Sequence, residues 1–376
     1  MSAEPMREPA TELDLLDAAN LRRRLRVAEG GINFASNDYL GLADSDEVKA
    51  ALQEAVGRHG AGAGASRLVS GTHAAHLALE ETLADFKSAE AALVFSSGYA
   101  ASVGTLSGLL RKGDIAILDK LCHASLVDGA RLSGATLRVF PHQNMEKLAS
   151  HLAWAQGQRT AETRVIVVTE SVFSMDGDTA PLAEIIRLKN ASDAWLLLDE
   201  AHAIGVLGRD GRGLADALGV ASKVDIQLGT LSKAIGLSGG YVAARREIID
   251  LLINQARSFI YSTALPPALA ATADYVIREI FCRPAGQQLR EKLWQNIASL
   301  KSHFPNPQSA ILPLILGDEA VAMEASARLQ AQGLWIPAIR YPTVSRGTAR
   351  LRITVSAAHE PSELAALSEA LNSLAR

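Results

Sequence analysis

Trp195-Leu-Leu-Leu-Asp199-Glu-Ala-His202 starts as an unbroken apolar run and ends in two acids and a histidine. Apolar residues without alternation read as a strand buried on both faces, as in parallel sheets. Its last residue, Asp199, would then stand at the carboxyl edge of the sheet, where open α/β folds bind their ligands. About one βαβ unit later a second strand-like run, 225–229, leads through Gly229-Thr-Leu-Ser-Lys-Ala234 to Lys233. An amine therefore faces a carboxylate across a crevice at the strand ends.

Outward from this pair the alternation continues. Strands are expected at 91–96, 115–118, 136–140, 164–169, 195–198, 225–229 and 240–243, with helices at 46–58, 73–87, 100–110, 145–155 and 181–190. Strands alternating with helices predict an α/β fold with a large, mostly parallel sheet covered on both faces. Before it lie a charged helix over 12–29, with Leu13, Leu16, Leu21 and Leu25 on one face, and a short strand at 32–34. After a helix at 246–257 the pattern changes to helices at 267–281, 287–303, 320–332 and 361–374, with strands at 309–316, 334–340 and 349–355. That tail reads as a small α+β domain. The expected organisation is an N-terminal helical segment (1–40), a large domain (41–280) and a small C-terminal domain (281–376), packed tightly because no linker separates them.

Composition narrows the function. With 376 residues, 48% apolar and 21% charged, the chain is an ordinary globular protein too long for one compact core. A net charge of −4, with no basic run beyond Arg22-Arg23-Arg24-Leu-Arg26, argues against a nucleic-acid partner. Cys122 and Cys282 are too far apart for a disulfide framework or a metal site, which fits a reducing cytoplasm. Residues 1–10 read as a frayed tail rather than a signal peptide, and no apolar run approaches membrane-spanning length.

An amine opposite a carboxylate suits a pyridoxal 5′-phosphate (PLP) enzyme. The lysine carries the cofactor, and the acid keeps the pyridine nitrogen protonated so that the ring accepts electrons. The other parts have candidates too. Ser96-Ser97-Gly98-Tyr99, after a strand and before a helix, can present backbone N–H groups to a phosphate, although such turns are common and Tyr99 could be a core aromatic. His123 follows another strand and can lie over the ring; alone it would read as a structural histidine or a helix cap. Glu170 and Ser174 can line the crevice, His202 reaches the phenolic oxygen, and Thr230 offers a hydroxyl to the phosphate.

Competing motifs are weaker. Asp199-Glu-Ala-His202 spells a helicase box, but the chain contains no Gly-Lys dipeptide for a phosphate loop. Gly60-Ala-Gly-Ala-Gly64 lacks the dinucleotide spacing and a preceding strand. Gly236-Leu-Ser238-Gly-Gly240 fits a serine-hydrolase elbow, with Asp318 and His359 as nominal partners. The elbow requires a helix to follow, whereas 240–244 reads as a strand.

Together these motifs resemble the α-oxoamine synthases, PLP enzymes of the aspartate-aminotransferase-like fold (fold type I). The resemblance covers about residues 21–359. It is most specific at Ser36-Asn-Asp-Tyr-Leu-Gly41, 169–181, 199–213, 230–233, Ile260-Tyr-Ser-Thr263 and Gly347-Thr-Ala-Arg-Leu-Arg352. It implies that Lys233 carries PLP, Asp199 pairs the pyridinium and His202 meets the phenolate. It also implies that His123 stacks on the ring and contacts substrate, while Gly98, Tyr99, Ser174 and Thr230 hold the cofactor. Arg22 and Thr343 match acyl-substrate positions, and Asn37 and Arg352 match positions that hold the amino-acid carboxylate. Thr263 matches a residue that reaches the neighbouring subunit's phosphate, so a homodimer with its active site at the subunit interface is implied.

Leu21-Arg-Arg-Arg24 and Ala338-Ile-Arg-Tyr-Pro-Thr-Val344 point to the branch that condenses L-alanine with a pimeloyl thioester in biotin biosynthesis, the carrier being coenzyme A or acyl carrier protein. The alternative is a glycine-using member that makes aminolevulinate or 2-amino-3-ketobutyrate, which Tyr341 also suits. The segment after Arg24 is short, so the acyl carboxylate could meet Arg22, Arg23, Arg24 or Arg26. Ala65 stands where glycine is common and would narrow the acyl entry.

Overall fold

The computed structural model describes residues 8–25, 27, 28 and 30–374; Arg26 and the tail residues 1–7 lie outside the described residues. The chain runs through α1 (Pro9–Ala18), α2 (Asp46–His59), α3 (Ala74–Lys87), β1 (Ala91–Phe95), α4 (Gly98–Leu109), β2 (Ile115–Asp119), α5 (Ala124–Leu132) and β3 (Thr136–Phe140). It continues with α6 (Met145–Gln158), β4 (Val165–Glu170), α7 (Leu182–Ala191), β5 (Trp195–Asp199), β6 (Ile226–Thr230) and β7 (Gly240–Ala244). These seven strands begin and end within one residue of their expected positions.

They form one sheet in the order β1-β7-β6-β5-β4-β2-β3, in which β7 alone runs antiparallel to its neighbours. Alternate residues of each strand serve opposite faces. Val165, Val167, Leu196 and Leu198 join one core with α3, α6 and α7, while Ile166, Val168, Leu197 and Leu228 join a second core with α4 and α5. Both faces are therefore apolar, which explains the absence of alternation in the sequence. The four parallel pairings, and β1 through its antiparallel link to β7, direct six strands the same way, so Phe95, Asp119, Glu170, Asp199 and Thr230 end on one rim.

The chain reverses between β6 and β7 through residues 231–239, where Leu231 N–H donates to Gly239 O at 3.0 Å and Gly239 adopts φ 130°. A side chain on Gly240 would stand 2.6 Å from Gly98 Cα, so this glycine lets the start of α4 sit against β7.

The C-terminal part holds β8 (Ile311–Gly317), β9 (Ala338–Ile339) and β10 (Ala349–Thr354), antiparallel in the order β9-β10-β8. Ile32–Asn33 pairs in parallel with Leu334–Trp335. The single strand expected over 334–340 is thus two short ones, because Pro337 interrupts them and lacks an N–H for a ladder. The first helix is shorter than expected. It stops at Ala18, just before Asn20 turns left-handed at φ 55°, and it buries none of its residues. The helix expected over 267–281 changes at Val276 into a π-helical turn, Val276–Phe281.

Behind the site, Lys87 and Glu200 form an ion pair with side-chain exposures of 2% and 0%. Lys87 also donates to Arg212 O, and Glu200 accepts the Ala215 N–H at 3.0 Å, so the pair fastens the loop after β5 to α3. Lys87→Ala would strand a buried carboxylate and should lower the unfolding free energy by about 3–5 kcal/mol. The double variant Lys87→Met with Glu200→Gln should lose much less in urea denaturation; equal losses would show that the charge pairing is not the reason.

Candidate active site

The rim of the sheet encloses a cavity of about 250 Å³. One wall is the start of α4. Ser97 caps it by accepting the Ala100 N–H at 3.1 Å, leaving the first N–H groups of the helix directed into the cavity, where they favour an anion. Gly98 faces Thr230, and a Cβ there would come within 3.2 Å of Thr230 Oγ1. Thr230 Oγ1 in turn lies 2.7 Å from Ser232 Oγ, so two hydroxyls sit opposite the helix start. Tyr99 is no core residue; it is 51% exposed and donates to Asp128 at 2.6 Å.

A second wall comes from the ends of β2 and β4. His123 caps α5 through Nδ1, which lies 2.8 Å from Ser125 Oγ, and its main-chain N–H donates to Glu170 Oε1 at 2.5 Å. The ring opens onto the cavity, yet the concave surroundings press its pKa below the ordinary value, against the pull of Asp199. His123 is thus both the helix cap and a wall of the site.

The floor carries the charge. Asp199 Oδ1 accepts the Ala201 N–H at 2.9 Å, which holds the carboxylate at the strand end. Lys233 Nζ stands 2.9 Å from His202 Nε2, and Tyr39, 1% exposed, meets His202 Nδ1 at 2.5 Å. The partner on one imidazole nitrogen sets the role of the other, so Tyr39 controls what His202 presents to the cavity. Burial lowers the Lys233 amine from its ordinary value, while Asp199 and Glu170 oppose that fall. Burial also drives His202 well down, keeping it neutral, and pushes the Tyr39 phenol up to about 12.

A larger cavity of about 820 Å³ adjoins the first and shares His123 with it. Its walls include Arg23, Ser174 and Thr343. Arg352, on β10, is 4% exposed and donates through Nη2 to Asn37 Oδ1 at 3.0 Å and through Nε to Ser174 O at 2.5 Å. Asn37 Oδ1 also lies 3.3 Å from the Tyr39 hydroxyl. Arg352, Asn37, Tyr39, His202 and Lys233 therefore form one hydrogen-bonded chain.

Two expected positions differ. Arg22 is turned away and pairs with Asp17 at 2.5 Å; Arg23 instead lines the larger cavity and donates to Thr343 Oγ1 at 2.9 Å. No local pattern in the sequence announced which arginine would face the cavity. Ser174 lines the larger cavity rather than the smaller one, since Arg352 holds its carbonyl. Thr263, expected to serve a second copy of the chain, lies exposed outside both cavities of this one, in a bridge with Ser66.

The model of the family aminotransferase class I and II matches residues 29–371. The chain belongs to that family. The 8-amino-7-oxononanoate synthase of Geobacter sulfurreducens is 45% identical to it over 377 residues, covering 95% of each chain. The crystal structure of 8-amino-7-oxononanoate synthase from Francisella tularensis has a TM-score of 0.75 and 28% identity, covering 92% of this chain and 96% of that one. A serine palmitoyltransferase variant from S. paucimobilis, solved with bound PLP–myriocin, has a TM-score of 0.87 and 30% identity, covering 97% of each. Within the family these relatives put the chain among the α-oxoamine synthases, with the type I fold of PLP enzymes, as its motifs implied.

The smaller cavity fits the family's cofactor. It supplies a helix start and two hydroxyls for a phosphate, an amine for an aldehyde, and an acid for a ring nitrogen, with Gly98 leaving room that a side chain would take. The hydrolase alternative fails. Ser238 is followed by β7 rather than by a helix, Asp318 caps the helix Glu319–Ala331, and His359 is held by Ser356 N–H and Asn33 O. Among this family member's site residues, Tyr39, Ser125 and Ser232 went unassigned in the sequence. Tyr39 stood inside a quoted motif, but only folding reveals that it touches His202, 163 positions away.

Proposed function

We propose that this chain is a PLP-dependent 8-amino-7-oxononanoate synthase, condensing L-alanine with a pimeloyl thioester and releasing CO2 and the thiol. The observation that carries the reading is the placement of Lys233 and Asp199 in one small cavity that shares His123 with a larger one. Relatives 43–45% identical over about 95% of the chain support the substrate.

When bound, PLP supplies an electron sink that stabilises negative charge at the amino acid's Cα. Lys233 Nζ holds the cofactor, then takes and returns the Cα proton. Asp199 keeps the ring nitrogen cationic, and His202 Nε2 presents a hydrogen-bonding group to the phenolic oxygen. His123, in the wall of the same cavity, would cover the cofactor's ring. Gly98, Tyr99, Thr230 and Ser232 would hold its phosphate, while Ser174 lines the larger cavity. Arg352 and Asn37 take the alanine carboxylate, and Arg23 with Thr343 takes the far carboxylate of the pimeloyl chain, a match for a planar guanidinium.

A homodimer is part of this reading. Leu68, Val69, Leu77 and Tyr261 are 53%, 80%, 52% and 71% exposed, an apolar set flanking the Ser66–Thr263 bridge that a second copy would cover. Among the described residues no helix is long and apolar enough to cross a membrane.

The test is an assay of the amino-ketone product with alanine or glycine and with pimeloyl, succinyl or acetyl thioesters. Turnover of glycine with a short thioester, and none of alanine with the pimeloyl one, would sink the proposal. Arg23→Ala should raise KM for the pimeloyl thioester about 10- to 100-fold with kcat little changed, the size of one charge-assisted hydrogen bond. An Arg22→Ala effect larger than that of Arg23→Ala would reverse the assignment.

A further inference from the structure

We propose that Glu170 is a second carboxylate of the cofactor pocket, a positioning residue that fixes His123 through its main chain and supplies negative charge opposite Lys233. This rests on the PLP reading above and goes beyond it, since Asp199 alone fulfils the pyridinium role. Glu170 ends β4 in register with Asp199, which ends β5, so the two side chains leave the sheet on the same face. Glu170 is 3% exposed and forms part of the wall of the smaller cavity.

Its Oε1 accepts the His123 N–H at 2.5 Å. Among the described residues no other hydrogen bond reaches this carboxylate. A buried acid with one neutral donor either takes up a proton or pairs with a cation, and the cavity holds Lys233. The groups that face Glu170 are Asp199, Lys233, Asp119 and His123, with the Cys122 thiol behind. Burial and Asp199 push the Glu170 carboxyl up from its ordinary value, while Lys233 and the His123 N–H pull it down. Lys233 is pulled up in turn by both acids. Glu170 and Lys233 thus titrate as a pair.

Glutamine at this position would still accept the His123 N–H. What the acid adds is charge, and that separates the two roles. Glu170→Gln and Glu170→Asp proteins are loaded with pyridoxal phosphate, and the visible absorbance of the bound cofactor is titrated through neutral pH. Removing the negative charge disfavours the protonated nitrogen on Lys233, so the midpoint should fall by about one unit in Glu170→Gln. Glu170→Asp keeps the charge but is too short for the His123 N–H; its midpoint should stay near that of the unaltered protein while its kcat falls.

The same amine is read without cofactor by the pH dependence of Lys233 reductive methylation, followed by peptide mass spectrometry. That curve should also move down in Glu170→Gln, which keeps the proposal testable if the variant takes up cofactor poorly. Coincident midpoints for the glutamine variant and the unaltered protein would overturn it, as would an aspartate variant that shifts as far as the glutamine one. An unaltered protein that binds no pyridoxal phosphate would instead overturn the cofactor reading, leaving the methylation result to decide the role of Glu170.

Discussion

Lys233→Ala is expected to lower turnover by at least about 10⁴-fold, because it removes a covalent attachment point and a proton carrier at once. The amine lies 2.9 Å from the neutral His202 ring and borders Asp199 in a cavity of about 250 Å³. Burial lowers its pKa from the ordinary lysine value of 10.5, so more of it is free base near neutral pH than for a surface lysine. The sign follows from this. At low pH the amine is protonated and cannot accept the Cα proton, so kcat/KM should rise with pH and level off below the pH that an unperturbed lysine would require. Borohydride treatment followed by peptide mapping should add the cofactor's mass to the Lys233 peptide of the unaltered protein and to no peptide of the variant. Retention of more than about 1% of the activity would rule out Lys233 as the base, since general-base catalysis alone is worth about 10²–10⁴-fold.

The second large effect should come from Asp199→Asn. The change is nearly isosteric and can keep the Ala201 N–H bond to Oδ1, so the strand end should hold its shape and the protein should still take up cofactor. What disappears is the charge. An opposed charge in contact moves a pKa by about 1–3 units, each worth about 1.4 kcal/mol, so turnover should fall about 10- to 1000-fold. Cofactor affinity and kcat measured on the same preparation separate this from a folding defect. Turnover near that of the unaltered protein would end the electrostatic role of Asp199, whatever the fate of Lys233.

These two residues were legible before any coordinates because Asp199 ends one strand and Lys233 follows the end of the next by three residues. A strand buried on both faces announces itself by its apolar run, and the first polar residue after it must lie on the rim. The same logic marked Gly98 after β1, His123 after β2, Glu170 at the end of β4 and Thr230 at the end of β6. Where local signals were weak, expectations slipped. The first helix carries leucines at helical spacing, yet it buries none of them and ends at Ala18. The stretch 334–340 is apolar enough for one strand, but Pro337 divides it between two sheets.

Hydrophobic periodicity, turn residues and motif order thus sufficed for the layered α/β architecture, the cofactor chemistry and most of the groups that serve it, since each depends on neighbours a few positions away. Which arginine faces the acyl cavity, which histidine nitrogen meets Tyr39 and which carboxylate holds the His123 main chain depended on contacts between distant segments. Arg23 meets Thr343 across 320 positions and Arg352 meets Asn37 across 315. Such pairings arise from how the C-terminal part packs against the N-terminal segment, and no stretch of chain read alone carries that information.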